Sequence, residues 1–352
     1  MNLFDYVRPA SVAEAVAAAS EPGAAYLGAG TNLLDLMKVG AMRPDKLVDI
    51  TKLPGLEMIE MLDDGSVRIG ALVRNSDLAR DPLIAKAFPM VAEALLSGAS
   101  AQLRNAATVG GNLMQRTRCS YFQDPESACN RREPGSGCDA LDGENRTHAI
   151  LGWSEGCIAT HPSDFCVPLV ALDAVVEIEG PEGRREMPLE AFHLLPGDTP
   201  HKETYLARGE LVTGLRLPPE AALFSGNARY LKLRERTSFA FALVSAAAAL
   251  RIEDGKIAEA RLALGGVAAK PWRAREAEAV LKGVSPDVET FARAAEAALA
   301  DAMPSGDNAY KIDLAKRVVT RAFVLAAEGT PQRVPAMPAS VFSSDTGVSA
   351  HA

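Results

Sequence analysis

Leu27-Gly28-Ala29-Gly30-Thr31-Asn32-Leu33 and, further along, Thr108-Val109-Gly110-Gly111-Asn112 are the two stretches on which the reading of this chain turns. The first follows the short apolar run Ala24-Ala25-Tyr26-Leu27. It precedes Leu33, Leu34, Leu36 and Met37, with Gly40 placed to end a helix. That pattern predicts strand, turn and helix, with Thr31 or Asn32 as the cap. Small residues at such a turn let backbone N–H groups approach a phosphate, and the helix N-terminus adds a favourable dipole. Taken alone, a tight turn with a capped helix is the simpler reading. A dinucleotide fingerprint is the sharper rival: Gly28 and Gly30 fit G-x-G and Asp49 lies where an acid could hold a ribose, but Leu33 occupies the third glycine position. The second stretch, taken alone, is a β-turn. Two phosphate-sized turns in neighbouring segments point to one long ligand held between two subdomains, because clefts at domain interfaces are favoured sites.

Working outward, Ser11-Val12-Ala13-Glu14 predicts a capping box opening a helix, and Lys46-Leu47-Val48-Asp49-Ile50 a strand. A second segment starts near Asp64-Gly65 with the strand Ser66 to Gly70 and a short helix from Pro89 to Ser97. Residues 114–160 then interrupt the regular pattern with a polar, Arg-rich and Gly-rich stretch that holds cysteines; so long an irregular stretch is functional or disordered. Regular structure resumes at Val167 and runs to Pro218-Pro219. A third segment has three strand candidates (Tyr230 to Arg234, Ala242 to Ile252, Ile257 to Leu264), with Glu253-Asp254-Gly255-Lys256 as a hairpin turn. Three helices follow, near Trp272 to Leu281, Val288 to Ala300 and Lys311 to Ala327. These elements predict an α+β protein divided into residues 1–60, 61–222 (with the insertion at 114–160) and 228–330. The small, polar tail, 331–352, is expected to be disordered.

The chain has 352 residues, 48% of them apolar, and a net charge of −8. A general affinity for nucleic acid or an anionic membrane is therefore not expected, and no apolar run is long enough to predict membrane insertion. Met1 to Tyr6 lacks the basic and apolar regions of a signal peptide, which predicts a cytoplasmic protein by its own sequence.

Of the five cysteines, Cys119, Cys129, Cys138 and Cys157 are separated by nine, eight and eighteen residues, and the fifth is Cys166. A secreted disulfide scaffold would spread more of them through a shorter chain, so the clustering points to metal. Four thiolates suit tetrahedral zinc or an iron–sulfur cluster, and the spacing alone does not choose. Arg116, Arg118, Arg131 and Arg132 lie nearby and would favour thiolates. Cys166, in an apolar stretch, is expected in the core.

With both turns and the insertion considered together, the chain resembles, from Phe4 to about Glu328, the medium, FAD-binding subunit of the xanthine dehydrogenase (molybdenum hydroxylase) family. Leu27 to Leu33 is similar to the family's first FAD turn, with Ala29 in place of a glycine, and Thr108 to Asn112 matches the second. His161-Pro162-Ser163-Asp164 resembles a conserved stretch displaced by the insertion. Gly209-Glu210-Leu211-Val212 and Tyr230-Leu231-Lys232 resemble two further FAD-contacting segments. Arg116 to Phe122, Pro134 to Cys138 and Cys157 to Asp164 resemble the branch of bacterial aldehyde oxidoreductases whose FAD subunit carries a [4Fe–4S] cluster.

The resemblance implies a two-subdomain FAD-binding fold of the vanillyl-alcohol-oxidase type, then a C-terminal three-stranded antiparallel sheet with helices, as in CO dehydrogenase flavoproteins. It implies FAD held by Leu27, Gly28, Ala29, Gly30, Thr31, Asn32, Leu33, Thr108, Gly110, Gly111 and Asn112, with Asp164, Val212 and Lys232 contributing. It implies a [4Fe–4S] cluster on Cys119, Cys129, Cys138 and Cys157. The implied partners are a molybdenum-cofactor large subunit, a [2Fe–2S] small subunit and an external electron acceptor. This chain would pass electrons from the small subunit to the acceptor, and no catalytic acid or base is expected on it. His148, His193 and His201 are accordingly expected at the surface or satisfied. Relatives of this kind can be carried folded to the periplasm with a signal-bearing partner. Two alternatives use the same residues differently: a stand-alone NAD-dependent dehydrogenase using Gly28, Gly30 and Asp49, and a scaffold with a four-cysteine zinc site.

Overall fold

The computed structural model describes residues 1–237 and 239–331; the tail expectation for 331–352 therefore lies, beyond its first residue, outside the described residues. Three sheets organise the chain. The first is parallel, in the order Asp5–Val7, Lys46–Asp49, Ala24–Leu27. Its helix Val12–Ala19 starts where the capping box predicts. Ser11 Oγ accepts from Glu14 N–H, and Glu14 Oε2 accepts from the N–H of Ala10, one residue before the cap.

The second sheet is antiparallel, in the order Ile59–Met61, Val67–Gly70, Leu211–Leu217, Val175–Gly180, Gly183–Pro188. Helices Asn75–Arg80, Pro82–Ala87, Pro89–Ser97 and Cys166–Ala171 complete its core. The third is antiparallel with four strands, in the order Trp272–Arg273, Lys256–Gly265, Val244–Glu253, Ala228–Leu233. The sequence predicts three strands there and a helix from Trp272. Instead Trp272 and Arg273 pair with Leu264 and Ala263, and the helix begins at Arg275. A two-residue pairing leaves no periodicity to read. Arg273 is held by distant contacts, donating to Val170 O at 2.6 Å and Asp173 Oδ1 at 3.0 Å.

The strand Val244–Glu253 ties the segments together. Val244, Ala246, Ala248 and Leu250 face the core of the C-terminal helices, while Ala247 and Ala249 face the core of the second sheet. Alternate side chains point to opposite faces, so a strand covered on both sides is apolar throughout. Its alanines are small enough for close packing on either side.

The insertion has little regular structure: one helical turn, Ser120–Gln123, and isolated pairings of Cys129 with Cys138 and Ser154 with Cys157. It is nevertheless ordered by bonds to the C-terminal segment. Lys311, fully buried, donates to Thr147 O, His148 O and Gly266 O at 2.9, 2.8 and 2.7 Å. Asn308 Nδ2 donates to His148 O and Ala149 O at 3.1 and 3.0 Å. On the other side, Phe122 and Cys129 pack with Leu36 and Ala41 of the first segment. No helix among the described residues is long and apolar enough to cross a membrane.

Candidate functional site

The two glycine turns face each other. A Cβ placed on Gly28 would lie 3.3 Å from Thr108 Oγ1, and Gly28, Asn32, Thr108, Gly110 and Gly111 line one cavity of about 860 Å³ between the first and second sheets. Leu33 and Val212 line it too. Asn32 and Gly111 also line a smaller cavity of about 280 Å³, with Thr31, Asn112, Asp164 and Lys232 on its walls. Asn32 and Gly111 thus stand where the two spaces meet. Leu27, Ala29 and Gly30 line neither cavity. Gly30 instead shapes the turn: its φ is +77°, and a Cβ there would lie 2.6 Å from Leu34 Cδ1.

The two turns offer different things. No hydrogen bond among the described residues engages the N–H groups of Ala29, Gly30, Thr31 or Asn32, so the first turn presents unused donors at the start of Leu33–Lys38. Asn32 does not cap that helix. Its Oδ1 accepts from Arg116 N–H at 2.9 Å, and its buried Nδ2 has no partner. The second turn, read as a β-turn when taken alone, opens a short helix, Val109–Leu113. Its N–H groups are already used: Val109 to Val73 O at 2.9 Å, Gly110 to Ala71 O at 2.7 Å, Gly111 to Thr108 Oγ1 at 3.2 Å. Its glycines serve close packing within the protein: a Cβ on Gly110 would lie 3.0 Å from Ala71 Cβ. The first turn's unused donors and the orphaned Asn32 amide, on the walls of these joined spaces, fit a phosphate-containing ligand.

At the far end, Asp164 Oδ1 accepts from Tyr230 Oη at 2.6 Å and Oδ2 from Lys232 Nζ at 2.7 Å. The sequence marks Lys232 as an ordinary surface residue unless the resemblance is used, yet its side chain is only 4% exposed. Burial, followed by the charge of Asp164, pushes the Tyr230 hydroxyl pKa well up, so it stays a donor. Asp49, the ribose-holding candidate of the NAD reading, is otherwise engaged. Its Oδ1 accepts from Thr51 N–H at 2.9 Å, and its Oδ2 from Tyr6 and, at 2.7 Å, Arg8 Nη2. Burial alone would raise its pKa; the bonds from Thr51, Tyr6 and Arg8 outweigh this and lower it to about 2.

Cys119, Cys129, Cys138 and Cys157 all line a single small cavity, and all are free thiols. Asn130 shapes the loop between the second and third: its Oδ1 accepts from the N–H groups of Gly135 and Gly137 at 3.1 and 3.0 Å. Of the four neighbouring arginines, only Arg131 reaches a sulfur, with Nη2 3.6 Å from Cys157 Sγ. Arg132 ties loop carbonyls, donating to Tyr121 O and Phe122 O at 2.7 and 2.8 Å. Arg116 pairs with Glu203, and Arg118 lies over Phe241. Burial pushes the Cys119 thiol up to about 11 in the metal-free chain.

The histidine expectation needs correction. His201 is exposed, but His148 and His193 are buried, each with an unpartnered Nδ1. His148 Nε2 lies 3.2 Å from Cys119 Sγ. His193 Nε2 faces Leu113 O at 2.9 Å and so carries the proton, and burial lowers its pKa to about 4. With His161 and Cys166 it forms the one group of three candidate ligand atoms within 4.8 Å among the described residues. His161 Nδ1 accepts from Ser163 N–H at 3.3 Å, which leaves the proton of the neutral ring on its unpartnered Nε2. The pair is therefore a donor facing an acceptor rather than two bare lone pairs ready for a metal. Cys166 is fully buried in the core, as expected.

Known proteins share this architecture. Residues 2–220 match the family model described as "FAD binding domain in molybdopterin dehydrogenase", and 229–326 match the "CO dehydrogenase flavoprotein C-terminal domain". The aldehyde oxidoreductase FAD-binding subunit PaoB of Escherichia coli is 49% identical over 93% of this chain and 98% of its own length. The carbon monoxide dehydrogenase medium chain of Hydrogenophaga pseudoflava is 29% identical over 91% of this chain and 95% of its own. A solved structure of carbon monoxide dehydrogenase from the latter organism superposes with a TM-score of 0.73 at 29% identity, covering 93% of this chain and 98% of that one. Quinoline 2-oxidoreductase from Pseudomonas putida gives 0.71 at 26% identity, covering 93% and 99%. The family match rules out the stand-alone NAD dehydrogenase, whose ribose acid is already spent on Tyr6 and Arg8. With both of its segments matched and its cavity open to a dinucleotide, the chain belongs to the FAD-binding medium subunits of the molybdenum hydroxylases, an oxidoreductase family.

Proposed function

We propose that this chain is the FAD- and [4Fe–4S]-containing electron-transfer subunit of a heterotrimeric, molybdenum-dependent aldehyde oxidoreductase. Its partners in this reading are a molybdenum-cofactor large subunit, where the aldehyde is oxidised, and a [2Fe–2S] small subunit; an external acceptor takes the electrons. The observation that carries the reading is the meeting of the two glycine turns over one cavity that continues to Asp164 and Lys232. Identity to the aldehyde oxidoreductase subunit along nearly the whole chain favours the aldehyde branch.

FAD, when bound, supplies the redox chemistry, and the protein supplies position, electrostatics and control of solvent. Residues 1–60 and 61–222 are the two FAD-binding subdomains, and 228–330 is the C-terminal domain that closes the flavin end. The N–H groups at Ala29 to Asn32 hold the pyrophosphate, and Gly110 and Gly111 allow its close approach. Val212 and Leu33 cover the adenine side. Asp164 and Lys232, held together by their 2.7 Å bond, fix the flavin side.

The resemblance of Arg116 to Phe122, Pro134 to Cys138 and Cys157 to Asp164 to the cluster-bearing branch favours a cluster over zinc. Four thiolates lining one cavity are the ligand set of an iron–sulfur centre. A visible spectrum of the purified chain, with flavin extraction and iron and sulfide analysis, tests the reading. Yellow-brown protein with FAD, iron and sulfide is expected. Protein lacking flavin overturns the proposal, and zinc without sulfide overturns its cluster.

A further inference from the structure

Arg131 is the side chain whose charge faces both proposed cofactor sites. It lines the four-cysteine cavity and the large cavity between the glycine turns. Its side chain is 5% exposed. Nη2 points at Cys157 Sγ, 3.6 Å away, and Nη1 lies 2.9 Å from Glu203 Oε2. Its buried Nε has no partner. Glu203, in turn, accepts from Arg116 Nε at 2.5 Å through its other oxygen. One carboxylate therefore serves two arginines, and an uncompensated positive charge remains beside a sulfur. Burying such a charge is costly unless an anion completes the arrangement. Four thiolates around an iron–sulfur core form such an anion, and it becomes more negative on reduction.

We propose that Arg131 and Glu203 are opposed tuning residues for the reduction potential of the four-cysteine cluster. Arg131 stabilises the added negative charge of the reduced state, and Glu203 offsets part of that stabilisation. Hydrogen bonds and net charge around the sulfurs are the protein's means of setting such potentials, and a charge in a water-poor interior acts more strongly than at the surface. The inference rests on the cluster assignment proposed above. It adds a sign to each residue: taking away the cation must lower the potential, and neutralising the carboxylate must raise it.

Redox titration of the holoenzyme, followed by low-temperature electron paramagnetic resonance of the fast-relaxing four-iron signal, tests this. Arg131→Gln is expected to shift the midpoint potential down, Glu203→Gln to shift it up, and Arg131→Lys to keep it close to that of the unaltered protein. A purely packing role would move none of them, or move both charge-removing variants the same way, and either result overturns the proposal. If Arg131→Gln fails to retain iron, the upward shift in Glu203→Gln and the rescue by lysine still decide. Iron and sulfide in the unaltered protein with unmoved potentials defeats the tuning inference alone. Their absence from the unaltered protein defeats the cluster assignment and the inference with it.

Discussion

Lys232 Nζ donates to Asp164 Oδ2 at 2.7 Å, and this bond joins the first strand of the C-terminal sheet to the segment that follows the cysteine insertion. Both side chains are withdrawn from solvent, at 4% and 10% exposure. Lys232→Met removes the cation and leaves Asp164 with Tyr230 as its only side-chain donor among the described residues. Stranding one member of a buried pair costs about 3–5 kcal/mol. Urea unfolding of the flavin-free variant is expected to show a loss of about that size, and flavin content after purification is expected to fall. Unchanged stability together with unchanged flavin content contradicts the role given to the pair.

Gly111→Val is the sharpest probe of the cradle. Gly111 sits where the two cavities meet, and a Cβ there would lie 3.0 Å from Thr108 Oγ1. Branched bulk at the neck is expected to lower FAD per chain several-fold while iron per chain stays near that of the unaltered protein, measured on the same preparation. Full flavin content in this variant contradicts the placement of the cofactor.

The cysteines separate by position. Cys138→Ser removes one of the four sulfurs around the small cavity and is expected to abolish most of the iron and sulfide. Cys166→Ser is expected to retain them, because Cys166 lies in the core away from that cavity. Iron analysis giving the reverse result contradicts the ligand set.

Acid should weaken the first segment through Asp49. Its pKa falls from the ordinary 3.8 to about 2 on folding, so the unfolded chain takes up a proton first. The stabilisation is full above pH 4 and is lost as pH falls toward 2. With Arg8 largely exposed, solvent screening limits it to about 1–2 kcal/mol. Asp49→Asn is expected to lose that stability near neutral pH and to flatten the acid limb of a pH–stability profile. An unaltered limb contradicts the assignment.

Much of the architecture was legible because it is local. Strand, turn and helix around Gly28 follow from adjacent residues, as do the capping box at Ser11 and the hairpin at Glu253. The cysteines announce themselves by type. Arg131 and Glu203 could not be paired by inspection, because nothing periodic links an arginine in an irregular loop to a glutamate beyond the next strand pair. The same holds for His161 and His193, whose rings meet edge to face through packing between segments. The fourth strand escaped notice because two residues carry no pattern. Asn32 looked like a cap because its type and position suit one, but the chain spends its oxygen on Arg116.

The anchoring of the insertion by Lys311 and Asn308 has a consequence for biogenesis. The segment bearing His148 and leading to Cys157 is fastened by Asn308 and by Lys311 of the helix Tyr310–Ala327, so it is held in place only once that helix has been made. If these sulfurs hold the proposed cluster, iron delivery follows synthesis of that helix, and a chain shortened before Lys311 should emerge with its thiols exposed to air and prone to stray oxidation.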